Sequence, residues 1–560
     1  MTACTDDEDK PSGISDEPET GGTVQVLTRA DGFGTMDPQR IYVVSELNAS
    51  KLMTRTLTTY KAAPGEEGTE LVGDLATDTG RPNGDHTVWE YTLRDGVKWQ
   101  NGDPVTCEDV RYGTLRNFDV RNGDDAEITG GPPWALRWLD VPDDYTGPRT
   151  DADATGDIDG VNCVDEKTVE FRLKEPVLDF PYAVSMTGFA PVAEEFDTWE
   201  DYGTAPLSTG PYKLVDYSEG DGEKGEEGKA VFERNKHWDA ATDSVRRAAP
   251  DKIEYVFGVD PEKAAQKIVS GDPEYDNAVM YDDVPANSVQ QVVNDDELMA
   301  QTVNGESSTV IYLAINTETV ADVECRQALT YAFNKRKYRD VLGGATAGEY
   351  ATTMITPDDP GYKDFDVYGL GSNPEGDLES AQELLDEHGD CPDELTLDVQ
   401  DVPRSLELAD TIVETYARIG VTVKLNKHDA SSYYDEIATP ANQHDLVFAG
   451  WIPDWPGGSS VIPPLFDGDA IVDGINNNYS LLDDPEVNDR IQAADAEEDM
   501  DKAYQMWGDL DEDVQELAAT VPIMYDKTLS LCGKNIRGAF LNAQWGGVDV
   551  ASLGLADPSG

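Results

Sequence analysis

The spacing of apolar positions changes character along the chain. Thr23-Val24-Gln25-Val26-Leu27-Thr28 alternates after Gly22 and predicts a strand ending in the loop Ala30-Asp31-Gly32-Phe33-Gly34. Residues 86–100, with Val88, Glu90, Thr92 and Val97-Lys98-Trp99, predict a hairpin turning at Asp95-Gly96. Thr168-Val169-Glu170-Phe171-Arg172-Leu173 predicts a further strand, stopped by Pro176. Between these, residues 121–160 are rich in Gly, Asp and Pro and read as a long loop or insertion.

The second half turns to helical periods interleaved with strands. Asp322 can cap a helix reaching Phe333, in which Ala328, Leu329, Ala332 and Phe333 share a face. Asp377 starts another, with Leu378, Ala381, Leu384 and Leu385 inward and Gly389 at its end. A third runs from Ser405 to Gly420 and turns into the strand Val421-Thr422-Val423-Lys424-Leu425, after which comes the strand Asp445-Leu446-Val447-Phe448-Ala449. This order is that of an α/β domain with ligand loops at its strand ends.

Composition narrows the function. The 560 residues carry 42 Lys+Arg against 112 Asp+Glu, a formal charge of −70, which excludes a nucleic-acid binder acting by phosphate neutralisation. The excess reads as a solvated surface, with screening in high salt as the alternative source. A hydrophobic fraction of 39% supports a real core, and a chain of this length divides into two to four domains at roughly 100–200 residues each. No run of about 18 apolar residues predicts a membrane span.

Six cysteines, Cys4, Cys107, Cys163, Cys325, Cys391 and Cys532, include no C-x-x-C pair and no adjacent histidine, so no thiolate metal site is expected. Residues 1–21 are polar and read as a disordered tether, and Thr2-Ala3-Cys4 looks like the end of a lipobox, making Cys4 the expected lipidation site. Lipidation implies an oxidising location. Cys107 and Cys163, both in strand-like segments, are the first expected disulfide; Cys325, opening one helix, and Cys391, following another, are the second; Cys532 is left odd.

Enzymatic signatures are sparse. There is no G-x-x-x-x-G-K-[ST], G-x-G-x-x-G or G-x-S-x-G, and no marked Ser/His constellation among five histidines. His428 and His444 flank a tyrosine-rich helix and could meet in space without forming a metal site. Asp151-Ala152-Asp153-Ala154-Thr155-Gly156-Asp157-Ile158-Asp159 resembles a calcium loop, yet Asn162 stands where a bidentate Glu is needed, so it reads as an acidic solvated loop. Nothing selects a carboxylate pair for glycoside hydrolysis from so many acids. The most informative segment is Ala449-Gly450-Trp451-Ile452-Pro453-Asp454-Trp455-Pro456-Gly457-Gly458. Aromatic walls around one fixed charge suit a ligand with an amine and apolar side chains; the alternative is a core strand end bearing a surface acid.

Four blocks of the chain then carry a resemblance. Leu93-Arg94-Asp95-Gly96-Val97-Lys98-Trp99-Gln100-Asn101-Gly102-Asp103-Pro104-Val105-Thr106 with Glu108-Asp109-Val110, Ser208-Thr209-Gly210-Pro211-Tyr212-Lys213-Leu214, Phe232-Glu233-Arg234-Asn235-Lys236-His237-Trp238, and Asn316 with Arg326-Gln327-Ala328-Leu329-Thr330-Tyr331-Ala332-Phe333-Asn334-Lys335 follow one another in order. Over residues 22–556 the chain resembles the bacterial extracellular solute-binding proteins of family 5, peptide and nickel receptors of ABC importers.

The resemblance implies an α/β, two-lobed fold like the type II (cluster C) periplasmic binding proteins, with an extra inserted domain. Residues 22–60, 185–258 and 526–560 would form the first lobe, 61–184 its inserted domain and 259–525 the second lobe. It implies a substrate-binding subunit without catalysis of its own, lipid-anchored at the outer face of the cell membrane, monomeric, needing no cofactor or metal, and partnered by permease subunits and a peptide or other small ligand. Asp454 stands where peptide-binding members hold the ligand's α-amino group, followed here by Trp455-Pro456-Gly457-Gly458 instead of Asp-Pro. Gly450, Trp451 and Trp455 complete the second-lobe side of the expected site, and Asp31 and Phe33 are the contacts expected from the first lobe. A secreted hydrolase with paired carboxylates is the alternative from another class.

Overall fold

The computed structural model describes residues 13–14, 16–119, 132–156, 158–221, 224–388, 391–429, 432–474, 476–542 and 544–559. Cys4 and the first part of the 1–21 tether lie outside them. The described end of that segment is docked: Ile14 and Glu19 donate from their backbone N–H groups to Ala539 and Leu555 at 2.7 and 2.8 Å. The tether reading fails there because the C-terminal segment offers an edge to pair with.

The first lobe is built on a five-stranded sheet ordered Ala278–Met280, Thr23–Leu27, Lys252–Phe257, Gly228–Arg234, Tyr212–Ser218. The first three are parallel, and the rest form antiparallel hairpins. Alternation in Thr23–Leu27 puts Val24 and Val26 into a core with Phe232, Tyr255 and Phe257. Ala278–Met280, expected in the second lobe, pairs with Thr23–Leu27 instead, so the expected boundary at 259 falls within this sheet.

The inserted region carries an antiparallel sheet ordered Arg81–Pro82, Val88–Thr92, Thr168–Arg172, Val161–Cys163. Val88–Thr92 therefore takes Thr168–Arg172 as partner and not residues 97–99; the Asp95-Gly96 turn forms, but Leu93 and Arg94 donate to Lys167 and Leu75, which directs the chain away. Cys107, expected on a strand, opens the helix Cys107–Asp119 and is joined to Cys163; Cys325 is joined to Cys391. The supposed loop 121–160 contains the helix Trp134–Trp138, and the calcium-like segment forms the short helix Ala152–Thr155, with residue 157 outside the described set. Buried ion pairs fasten this region to the first-lobe core: Asp74 meets Arg55 at 2.7 Å and Arg246 at 2.9 Å, and Arg116 meets Asp37 at 2.8 Å.

The second lobe has a six-stranded sheet ordered Gly348–Tyr350, Thr520–Leu531, Thr302–Ile315, Leu446–Trp451, Glu394–Gln400, Thr422–His428. Three predicted helices appear as Val323–Ala332, Leu378–His388 and Pro403–Ala417, the first capped by Asp322 donating no charge but accepting from the Cys325 N–H at 3.0 Å. The long strands Thr302–Ile315 and Thr520–Leu531 pair with each other and run through both lobes: Val303 and Leu531 lie in first-lobe cores, Leu313 and Ile523 in the second. Their register breaks between Glu306 and Val310, where Ser308 adopts φ 53°. Among the described residues no helix is long and apolar enough to cross a membrane.

Candidate functional site

The strand Leu446–Trp451 delivers its following loop to the interface between the lobes. Gly450 lies opposite Ile311, whose side chain would stand 3.0 Å from a Cβ at that position, so the glycine permits close strand packing. Gly457 at φ 131° turns the chain after Pro456.

Asp454 is 4% exposed. Its Oδ1 accepts from the Tyr42 hydroxyl and its Oδ2 from Trp134 Nε1, each at 2.7 Å, while its backbone carbonyl accepts from Gln544 Nε2 at 3.0 Å. All three donors belong to the first-lobe side. Burial pushes the Asp454 carboxyl up to about 7, against the opposing pull of the Tyr42 and Trp134 hydrogen bonds.

The two tryptophans of the motif part company. Trp451 turns into its own lobe's core and donates to the Ser460 carbonyl at 3.0 Å, so it does not wall Asp454 as expected. Trp455 is fully buried and reaches across into the apolar cluster of the inserted domain, where its ring centre lies 4.5 Å from Trp134 and 5.7 Å from Trp138. Its indole N–H donates to Ser459 Oγ at 3.1 Å, and Ser459 donates to Asp179 of the first lobe. Arg137, on the same short helix as Trp134, meets Asp495 at 2.8 Å and Asp467 at 3.4 Å across the interface. Burial raises both of those carboxyls, Asp495 to about 6, although Arg137 opposes it.

The first-lobe contacts expected from the sequence are elsewhere. Phe33 is buried in the sheet core, 5.1 Å from Tyr255 and 4.9 Å from Phe257, since a ring at that position finds more apolar surface below the loop than above it. Asp31 is exposed at the turn, its carbonyl accepting from the Gly220 N–H at 2.7 Å. Tyr42, Trp134 and Gln544 take the places expected for them; only the aromatic character of Tyr42 and Trp134 gave any signal.

His428 and His444 do converge, on a carboxylate that the sequence did not single out: both face Asp398 Oδ1, at 2.8 and 2.9 Å. Among the described residues no cluster of three or more His, Cys, Asp or Glu side chains could hold a metal ion. Cys532 is a buried free thiol in the first-lobe core, pushed up to about 12 by burial.

Comparison with known proteins agrees with this architecture. The family model described as "Bacterial extracellular solute-binding proteins, family 5 Middle" matches residues 70–472. The oligopeptide-binding protein OppA of Bacillus subtilis (strain 168) is 23% identical over 445 residues, covering 75% of this chain and 74% of its own. The dipeptide-binding protein of Escherichia coli (strain K12) is 24% identical over 488 residues, 84% of each chain. A solved structure, the clavulanic acid biosynthesis oligopeptide binding protein 2, superposes with TM-score 0.85 at 29% identity over 98% of this chain and 97% of its own.

Proposed function

This chain belongs to the bacterial extracellular solute-binding proteins of family 5, and from that premise we propose that it captures a peptide between its lobes and delivers it to the permease of an ABC importer. The observation that carries this reading is Asp454, a carboxylate at the interface of the two lobes between indole walls. A peptide's α-ammonium group is the cation that such a site would favour, because a charge-assisted hydrogen bond gains strength when water is excluded. The names of the relatives, which bind oligopeptides and dipeptides, support the same ligand class. The hydrolase alternative finds no support in the family or in those relatives.

The strands Thr302–Ile315 and Thr520–Leu531 are suited to act as the hinge, since bending at the Ser308 irregularity would separate the lobes without breaking either core. Lipidation at Cys4, anchoring at the outer face of the membrane and a monomeric state complete the proposal; the Thr2-Ala3-Cys4 sequence supports the first of these. Native mass spectrometry of the protein isolated from its host tests the central claim. An intact peptide should be released on denaturation, whereas turnover of added peptides or glycosides would defeat the reading.

A further inference from the structure

The interface holds a second carboxylate whose arrangement has no structural purpose of the usual kind. Asp179 stands at the N-cap of the helix Phe180–Ala183, where an aspartate ordinarily accepts from helix N–H groups, yet its side chain makes no such bond. Its recorded hydrogen bond is to Ser459 of the other lobe. The side chain is half-buried, and among the described residues no cation pairs with it, Arg137 being engaged by Asp495 and Asp467. A half-buried carboxylate without a counter-charge is unfavourable unless something else supplies one.

The surroundings supply a cradle for that something. Tyr60, Tyr182, Tyr504 and Trp455 lie around Asp179: Tyr504 and Tyr182 both feel its charge, and Trp455 reaches it through Ser459. Tyr60 is 3% exposed and its hydroxyl is buried without a well-formed partner, since the neighbouring Ser185 hydroxyl is turned to the Tyr182 carbonyl at 2.6 Å. Burial first, then Tyr182, Asp179 and Asp454, push the Tyr60 phenol well above its ordinary value, which places this orphan hydroxyl in the field of both acids. Aromatic faces around a carboxylate recognise a guanidinium or ammonium group, by cation–π attraction and charge together.

We propose that Asp179 is a second anionic anchor of the interlobe site, so that the ligand this receptor takes is a peptide with a basic side chain, arginine or lysine in type. The inference rests on the reading of the protein as a peptide receptor with Asp454 at the ligand's amino terminus. Asp179 then acts as a specificity-determining residue that selects among peptides, while Asp454 accepts them all.

Calorimetry with defined peptides tests it: trialanine, tripeptides with arginine at each position in turn, their citrulline counterparts, which keep the shape and lose the charge, and N-acetylated versions of each. The wild type should bind at least one arginine peptide about tenfold or more tighter than its citrulline counterpart. Asp179→Asn should abolish that preference while holding affinity for trialanine within about twofold, and Ser459→Ala, which removes the cross-lobe bond but keeps the charge, should retain it. Equal binding of arginine and citrulline peptides by the wild type, or a preference that survives Asp179→Asn, would overturn the inference and leave the peptide-receptor reading intact. Undiminished binding of the acetylated peptides would overturn the role of Asp454 instead, and binding of none of these peptides would overturn both.

Discussion

Tyr42 and Asp454 are 412 residues apart in sequence and joined at 2.7 Å, hydroxyl to carboxylate, across the interface of two lobes. The bond favours the ionised carboxylate over the protonated one, so its removal has a defined electrostatic sign. In Tyr42→Phe the Asp454 carboxyl should titrate higher than the value of about 7 it has with Tyr42 in place. Carbon-detected NMR of the labelled carboxyl follows this directly, and a downward or absent shift would contradict the geometry.

The same group makes ligand binding depend on pH. Its value in the closed, empty form is raised from 3.8 to about 7. A raised acid contributes stability that is present at low pH and is lost as pH rises through the raised value, so the empty closed form weakens toward and above about pH 7. An ammonium ligand requires the opposite, ionised state. Binding of trialanine should therefore release a proton below about pH 7, with affinity rising by up to about tenfold per pH unit until that point and levelling beyond it. Calorimetry in buffers of different ionisation enthalpy counts the protons. Asp454→Asn should lose the Asp454 part of this profile together with about 2–5 kcal/mol of affinity, while other buried acids such as Asp495 keep their own contributions.

Trp455 should hold the lobes together even without ligand. A buried indole contributes about 150–250 Å² of covered surface, and truncating it in a packed cluster costs about 3–5 kcal/mol. Because its neighbours Trp134 and Trp138 belong to the other lobe, Trp455→Ala should favour the open form. Small-angle scattering of the empty variant should report a larger radius of gyration than wild type; identical curves would show that the indole does not bind the lobes.

The disulfide Cys107–Cys163 closes a separation of 56 residues. On the chain-entropy account, replacing both cysteines by serine should lower unfolding stability by about 4 kcal/mol. Urea unfolding of the oxidised protein against the double variant measures this, and peptide mapping under non-reducing conditions should recover the linked pair.

Legibility in the sequence followed the range of the interactions. Helices with a clean period and a capping aspartate, such as Val323–Ala332 behind Asp322, were readable because their signals are local. Asp454 was readable because a strand end, two tryptophans and the Pro/Gly residues mark it within ten positions. Trp134 was not: its helix spans five residues, too short for periodicity, inside a stretch whose Gly, Asp and Pro content argues for loop. The partner of Val88–Thr92 was missed because a turn signal at Asp95-Gly96 says where the chain bends and not where it goes next. Phe33 illustrates the converse. A loop position invited a ligand role, but an aromatic ring is decided by where apolar surface can be covered.

The three clustered indoles have one more consequence. Trp134 and Trp138 are contributed by one lobe and Trp455 by the other, with ring centres 4.5–5.7 Å apart. Chromophores at such spacing share their excitation, so the closed protein should carry an exciton signature in its near-ultraviolet circular dichroism. Opening would withdraw one member of the triad and extinguish its part of that signal, giving the molecule an optical readout of its own state with no label attached.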